Sequence, residues 1–104
     1  MPTEQYHEPP AELSDATRTY ARMITSLIEE AEAIGWYTQR ISLEKDAEAK
    51  AIMENARKEE YKHFGMDLEF LLRRTPAWRK ELKTILFSKG DIVARGEQAE
   101  DAVD

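Results

Sequence analysis

The sequence predicts an all-α protein, an antiparallel hairpin of two long helices followed by a short third helix. Three observations carry that expectation. Apolar residues recur at intervals of three and four along residues 14–41 and again along residues 46–74, the period of a helix with one buried face. Only Ser42 to Lys45 separate the two stretches, a connection short enough to make the helices antiparallel neighbours. Thr75-Pro76 then closes the second stretch and opens another.

Residues 1–13, with His7-Glu8-Pro9-Pro10, read as an extended N-terminal arm. The first helix begins near Ser14, whose hydroxyl can cap a backbone N–H, with Asp15 favourably placed in the first turn. It runs to about Ile41 and buries Tyr20, Met23, Ile24, Leu27, Ala31 and Ile34. The second, from about Asp46 to Arg74, has Ile52, Met53, Ala56, Phe64, Leu68 and Leu71 on its apolar side. Thr75 is the expected N-cap of the third helix and Pro76 its first residue, where a missing N–H costs nothing. That helix should end near Phe87, ahead of Gly90, and present Trp78, Leu82, Ile85, Leu86 and Phe87 to the hairpin or to a neighbouring subunit. The helical domain thus covers residues 14–89. Residues 90–104 are acidic and short of large apolar groups, so a flexible tail is expected there.

A length of 104 residues suits one domain, but a purely helical chain this short exposes much of its surface when alone, so self-association is expected. The net charge of −6 and sequence pI near 5.0 argue against a dedicated nucleic-acid binder, which presents a basic face. The same charge favours attraction of metal cations. No run approaches the roughly 18 apolar residues of a membrane span, and Met1 to Pro10 has no apolar core resembling a signal peptide. A cytoplasmic origin follows as the expectation, and the absence of cysteine fits a reducing compartment. Charge is uneven: residues 1–56 carry 11 acidic and 5 basic side chains, residues 57–89 carry 5 and 9, and residues 90–104 carry 5 and 1. An acidic half can meet a basic half in an assembly, although solvated helix faces would give the same pattern. The chain contains no internal repeat, no glycine-rich phosphate loop and no Ser-His-Asp arrangement.

The chemistry is concentrated in Glu60-Tyr61-Lys62-His63 on the second helix and in Glu30, on the margin of the first helix's apolar stripe. Residues three apart on a helix lie about 60° apart in angle and about 4.5 Å apart along the axis, so Glu60 and His63 can reach one metal. Glu59, four before His63, can do the same, and periodicity does not choose between them. A carboxylate at position 30 is costly unless a cation compensates it. Carboxylate oxygens with few imidazoles suit iron or manganese, and leave room for an oxygen species. A carboxylate-bridged di-iron bundle takes one Glu from each of two helices and one Glu-x-x-His from each of two others. This chain supplies one of each, so the other half must come from a second subunit.

Several longer segments resemble the encapsulated ferritins. They are Glu29-Glu30-Ala31-Glu32-Ala33-Ile34-Gly35-Trp36-Tyr37, then Arg57-Lys58-Glu59-Glu60-Tyr61-Lys62-His63, then Met66-Asp67-Leu68-Glu69-Phe70-Leu71-Leu72-Arg73-Arg74. With His7-Glu8-Pro9 before them and Leu86-Phe87 after, the likeness spans roughly residues 5–93. The resemblance implies a ferritin-like four-helix bundle rebuilt by dimerisation, with pairs closing into a ring of ten subunits. It implies a ferroxidase centre across the pair, with two iron ions per dimer held by Glu30, Glu60 and His63 of both chains, and favours Glu60 over Glu59. Glu29 and Glu32 match acidic residues that guide metal inward, and Trp36 and Tyr37 match aromatic neighbours of the centre. Asp67, one turn beyond His63, is a candidate acceptor for its second ring nitrogen.

The resemblance further implies an encapsulin shell protein as partner and residence in a cytoplasmic nanocompartment. The C-terminal Ala99-Glu100-Asp101-Ala102-Val103-Asp104 differs from that family's apolar, small-residue targeting peptide. The expected function is oxidation of Fe(II) to Fe(III), with dioxygen or peroxide as oxidant, for iron storage or detoxification. Two other readings use the same residues differently. One is a metal-free helical assembly adaptor; the other is a di-metal peroxide-detoxifying protein.

Overall fold

The structure, a computed structural model, describes residues 4–103 and is helical throughout its regular elements. Met1 to Thr3 of the expected arm and Asp104 of the expected tail lie outside the described residues. The chain forms two compact units, one ending at Leu71 and the other beginning at Leu72.

The first unit opens with a 3-10 turn, Pro10–Glu12, and continues into helix α1, Asp15–Leu43. Ser14 is the N-cap, its Oγ accepting from the Thr17 N–H at 3.1 Å. Arg18 fastens the arm to the helix: its Nη1 donates to the Pro10 carbonyl at 2.9 Å, and its Nη2 pairs with Asp15. Arg40 lies in the last turn, where a positive charge complements the carbonyl end of the helix. Helix α2, Ala47–Arg73, follows after a three-residue connection. Asp46 starts it by accepting the Ala49 N–H at 2.8 Å on its side chain, while Glu44 accepts the Asp46 N–H at 3.0 Å.

The expected antiparallel hairpin is what the pairing across the helices shows. Arg57 Nη1 of α2 donates to Thr38 Oγ1 of α1 at 3.2 Å, and Arg57 also lies over the Tyr61 ring, 5.9 Å from its centroid. Nearer the start of α1, Glu30 faces the turn of α2 that carries Glu60 and His63. Ile41 and Leu71 are the buried apolar residues of this unit. The rest of the α1 stripe, Tyr20, Met23, Ile24, Leu27 and Ile34, is only half-buried, and Ala31 is exposed. On α2, Met53, Ala56, Phe64 and Leu68 are half-buried and Ile52 stands in solvent. One partner helix covers only part of an apolar stripe, so both retain apolar surface that the hairpin does not enclose.

In the second unit, helix α3 spans Pro76–Ile85, with Thr75 before it and Pro76 at its first position as expected. Trp78, Leu82 and Ile85 are half-buried, whereas Leu86 and Phe87 fall beyond the helix and are exposed. Phe87 and Gly90 adopt the left-handed conformation (φ 61° and 85°) where the chain reverses. Over residues 92–103 the structure differs from the flexible tail that the sequence suggests: helix α4, Ile92–Val103, packs against α3. Two features explain the difference. Asp91 Oδ1 accepts the Val93 N–H at 3.2 Å and so starts the helix, and α4 is held against α3 with Ala99 almost wholly buried.

Candidate metal centre

Glu30, Glu60 and His63 are brought together by the hairpin. Each offers one ligand atom, and these atoms all lie within 4.8 Å of one another. No other group of three or more potential ligands comes this close among the described residues. Glu60 and His63 reach the point from successive turns of α2, with His63 Nδ1 and Glu60 Oε1 3.0 Å apart. An Nδ1–H donated to Glu60 leaves Nε2 with its lone pair, the form in which imidazole binds a metal. Glu30 comes from α1, in the same antiparallel register that brings Thr38 to Arg57.

Glu59 is differently engaged. It is exposed and forms an ion pair with Lys62 at 2.8 Å, and the hydrogen bond from Lys62, reinforced by its charge, holds the Glu59 carboxyl below its ordinary range. Glu60, not Glu59, stands with Glu30 and His63. Asp67 is placed against Glu30, and its carboxyl group contributes to the unusual state of that residue. Glu29 and Glu32 are exposed on α1, outside the three-residue cluster. Trp36 is exposed too, and half-buried Tyr37 lies under Arg40, 5.6 Å from the guanidinium carbon to the ring centroid.

The electrostatics suit a cation. Burial pushes the Glu30 carboxyl up to about 7 from an ordinary 4.5, helped by a hydrogen bond with Asp67, then by the charges of Asp67 and Glu60, and opposed by His63. Glu30 Oε2 and Asp67 Oδ2 are buried without a hydrogen-bond partner. Glu30, with Glu60 and His63 to one side and Asp67 to the other, is the centre of an oxygen-rich donor set for a hard or borderline dication.

The raised Glu30 value gives the metal-free protein a defined pH dependence. Because the folded chain holds this proton more tightly than the unfolded chain, the stability it contributes is fully present below about pH 4.5 and is lost as pH rises through about 7. Melting of metal-free protein between about pH 5 and pH 8 should show Tm falling by several degrees, with the fall much reduced in Glu30→Gln. Equal pH dependence in the two proteins would mean that Glu30 is not the titrating group.

A paired-helix fold with one Glu of α1 set against a Glu-x-x-His of α2 defines a ferritin-like helical protein. The sequence profile of the EncFtn-like family matches residues 5–89, and the chain belongs to that family. It is 42% identical over 95 residues to a ferritin-like protein of Thermotoga maritima, covering 91% of this chain and 83% of that one. It is also 42% identical over 88 residues to an encapsulated ferritin-like protein of Rhodospirillum rubrum, covering 85% of this chain and 63% of that one. Among solved structures it is similar to the crystal structure of protein ne0167 from Nitrosomonas europaea, with a TM-score of 0.82 and 48% identity over 86% of this chain and 98% of that one.

Proposed function

We propose that the chain is a ferroxidase whose centre is completed by pairing of two copies. The observation that carries this reading is the meeting of Glu30, Glu60 and His63 ligand atoms within 4.8 Å; membership of the EncFtn-like family supports it. Two Fe(II) ions, the substrate, each give one electron to dioxygen, which takes up two protons and leaves as hydrogen peroxide. Glu30 and Glu60 supply negative charge that favours Fe(III) over Fe(II), and His63 supplies the nitrogen ligand. Two chains would offer four carboxylates and two imidazoles from these positions, the complement of a carboxylate-bridged pair of irons. The half-buried stripes of α1 and α2 are the surfaces that pairing would cover.

The same reading extends to a ring of ten subunits working inside an encapsulin shell in the cytoplasm, where the oxidised iron would be stored. The Rhodospirillum rubrum relative is an encapsulated ferritin-like protein, which supports that setting. In the described residues no helix is long and apolar enough to cross a membrane. Anaerobic Fe(II) titration, followed by oxygen with absorbance and assembly size recorded together, tests the proposal. Protein that binds iron without accelerating its oxidation would refute it.

Exposed Glu29 and Glu32 are assigned to guiding metal inward, since clustered surface carboxylates raise the local cation concentration. The double change Glu29→Ala, Glu32→Ala should slow iron uptake about tenfold at low salt while leaving final occupancy intact, and salt should narrow the difference. Stopped-flow oxidation across ionic strength is the measurement. Loss of iron from the central site would show that guide and ligand have been exchanged.

A further inference from the structure

One buried acid in the hairpin is not used by the three-residue cluster. Asp67 is 9% exposed, the most buried charged residue described, and its Oδ2 has no hydrogen-bond partner. It lies on α2 one turn beyond His63 and shares a carboxyl–carboxylate hydrogen bond with Glu30, whose Oε2 is buried with no donor from any other group. A sheltered carboxylate oxygen without a donor is costly, and two side by side are costlier because the charges repel. The neighbours that act on Glu30 are two acids, Asp67 and Glu60, which both disfavour its charge, and His63, which opposes them. A dication beside the pair would satisfy both oxygens at once.

We propose that Asp67 is a fourth metal-ligating residue of this chain, binding a divalent cation jointly with Glu30. The inference rests on the metal-centre reading above and adds to it. Asp67 stands outside the group whose atoms lie within 4.8 Å of one another, so Glu30 is common to two contacts, one toward Glu60 and His63 and one toward Asp67. A carboxylate with two usable oxygens can serve both. The added oxygen donor shifts preference toward cations that take many hard ligands, such as Mn(II) and Fe, and away from Zn(II), which is satisfied by four.

Mn(II) alone is a suitable probe, because its bound fraction can be read by electron paramagnetic resonance without any turnover. Wild type, Asp67→Asn and Glu60→Ala, each as full chain and stripped of metal, would be titrated with Mn(II) and Zn(II), and metal content measured after desalting. Asn keeps the size and one carbonyl oxygen but loses the charge. The expected result is a loss of at least tenfold in Mn(II) affinity in Asp67→Asn, a smaller loss for Zn(II), and a higher Tm of the metal-free variant. Unchanged Mn(II) affinity in Asp67→Asn, beside a clear loss in Glu60→Ala, overturns the role of Asp67 and leaves the three-residue centre standing. Wild type that binds neither metal overturns both. Circular dichroism guards against misfolding, and Asp67→Glu gives a second reading: partial recovery of Mn(II) binding supports ligation, and behaviour no better than Asn opposes it.

Discussion

Glu30→Ala, Glu60→Ala and His63→Ala should each abolish Fe(II) oxidation while leaving the chain helical. Loss of even an outer partner of a metal ligand costs about 10–100-fold, so removal of a ligand should cost about 100-fold or more. Pairing doubles the effect, because one substitution deletes two ligands from a two-fold centre. Stability should move in the opposite direction for Glu30→Ala. That change removes a carboxyl group whose charged form is disfavoured by burial and by Asp67, so the metal-free protein should melt no lower than wild type near neutral pH. Oxygen-dependent oxidation, circular dichroism and metal-free melts measured on one set of variants would separate the two effects. Glu59 supplies the internal control, since it is exposed and paired with Lys62. An active Glu60→Ala beside a dead Glu59→Ala would shift the ligand register by one residue, and full activity in all three variants would favour a helical assembly adaptor.

Fe(II) should also drive the chains together. A single copy brings Glu30, Glu60 and His63 to one point, and with Asp67 it offers four ligating residues, so under the proposed pairing a second copy would supply the rest. Anything bound only by the pair stabilises the pair. At a free Fe(II) concentration of about 100 times its Kd, the gain is about 2.7 kcal/mol for one site, close to a hundredfold in the association constant. Sedimentation without oxygen, with and without Fe(II), reads this directly, and Glu60→Ala should lose the response. Tight stoichiometric iron in a protein that remains monomeric would contradict shared ownership of the centre.

Much of the hairpin was legible because its signals are local. Ser14 caps α1 where a Ser followed by Asp15 foretells a start, and Pro76 begins α3 at the position where proline is cheapest. Helix α4 was hidden because it has few large apolar residues: the buried side chain is Ala99, and its start depends on Asp91. The structure's placement of Glu60 with Glu30 and His63 had a sequence signal that periodicity alone does not use: Lys62 is three residues from Glu59 and competes for it. The meeting of Asp67 with Glu30 depends on the register between helices, which the spacing within either helix cannot supply. Asp67 shares a face with His63 and Glu60, being four and seven residues beyond them, and for that reason the sequence alone pointed to His63 as its neighbour.

The sparse closed core has a consequence for how such a chain exists in a cell. Among the described residues, only Ile41, Leu71, Leu72 and Ala99 are apolar and buried, so little of the apolar stripe on α1 and α2 is shielded before another surface arrives. For a chain built this way the rate of synthesis becomes a structural variable. Under the proposed pairing, newly released copies at low abundance would have to survive with half-covered apolar helices in water, within reach of proteases and chaperones, until a second copy is met. Dosage, as much as sequence, would then decide what fraction of the chains acquires a complete centre.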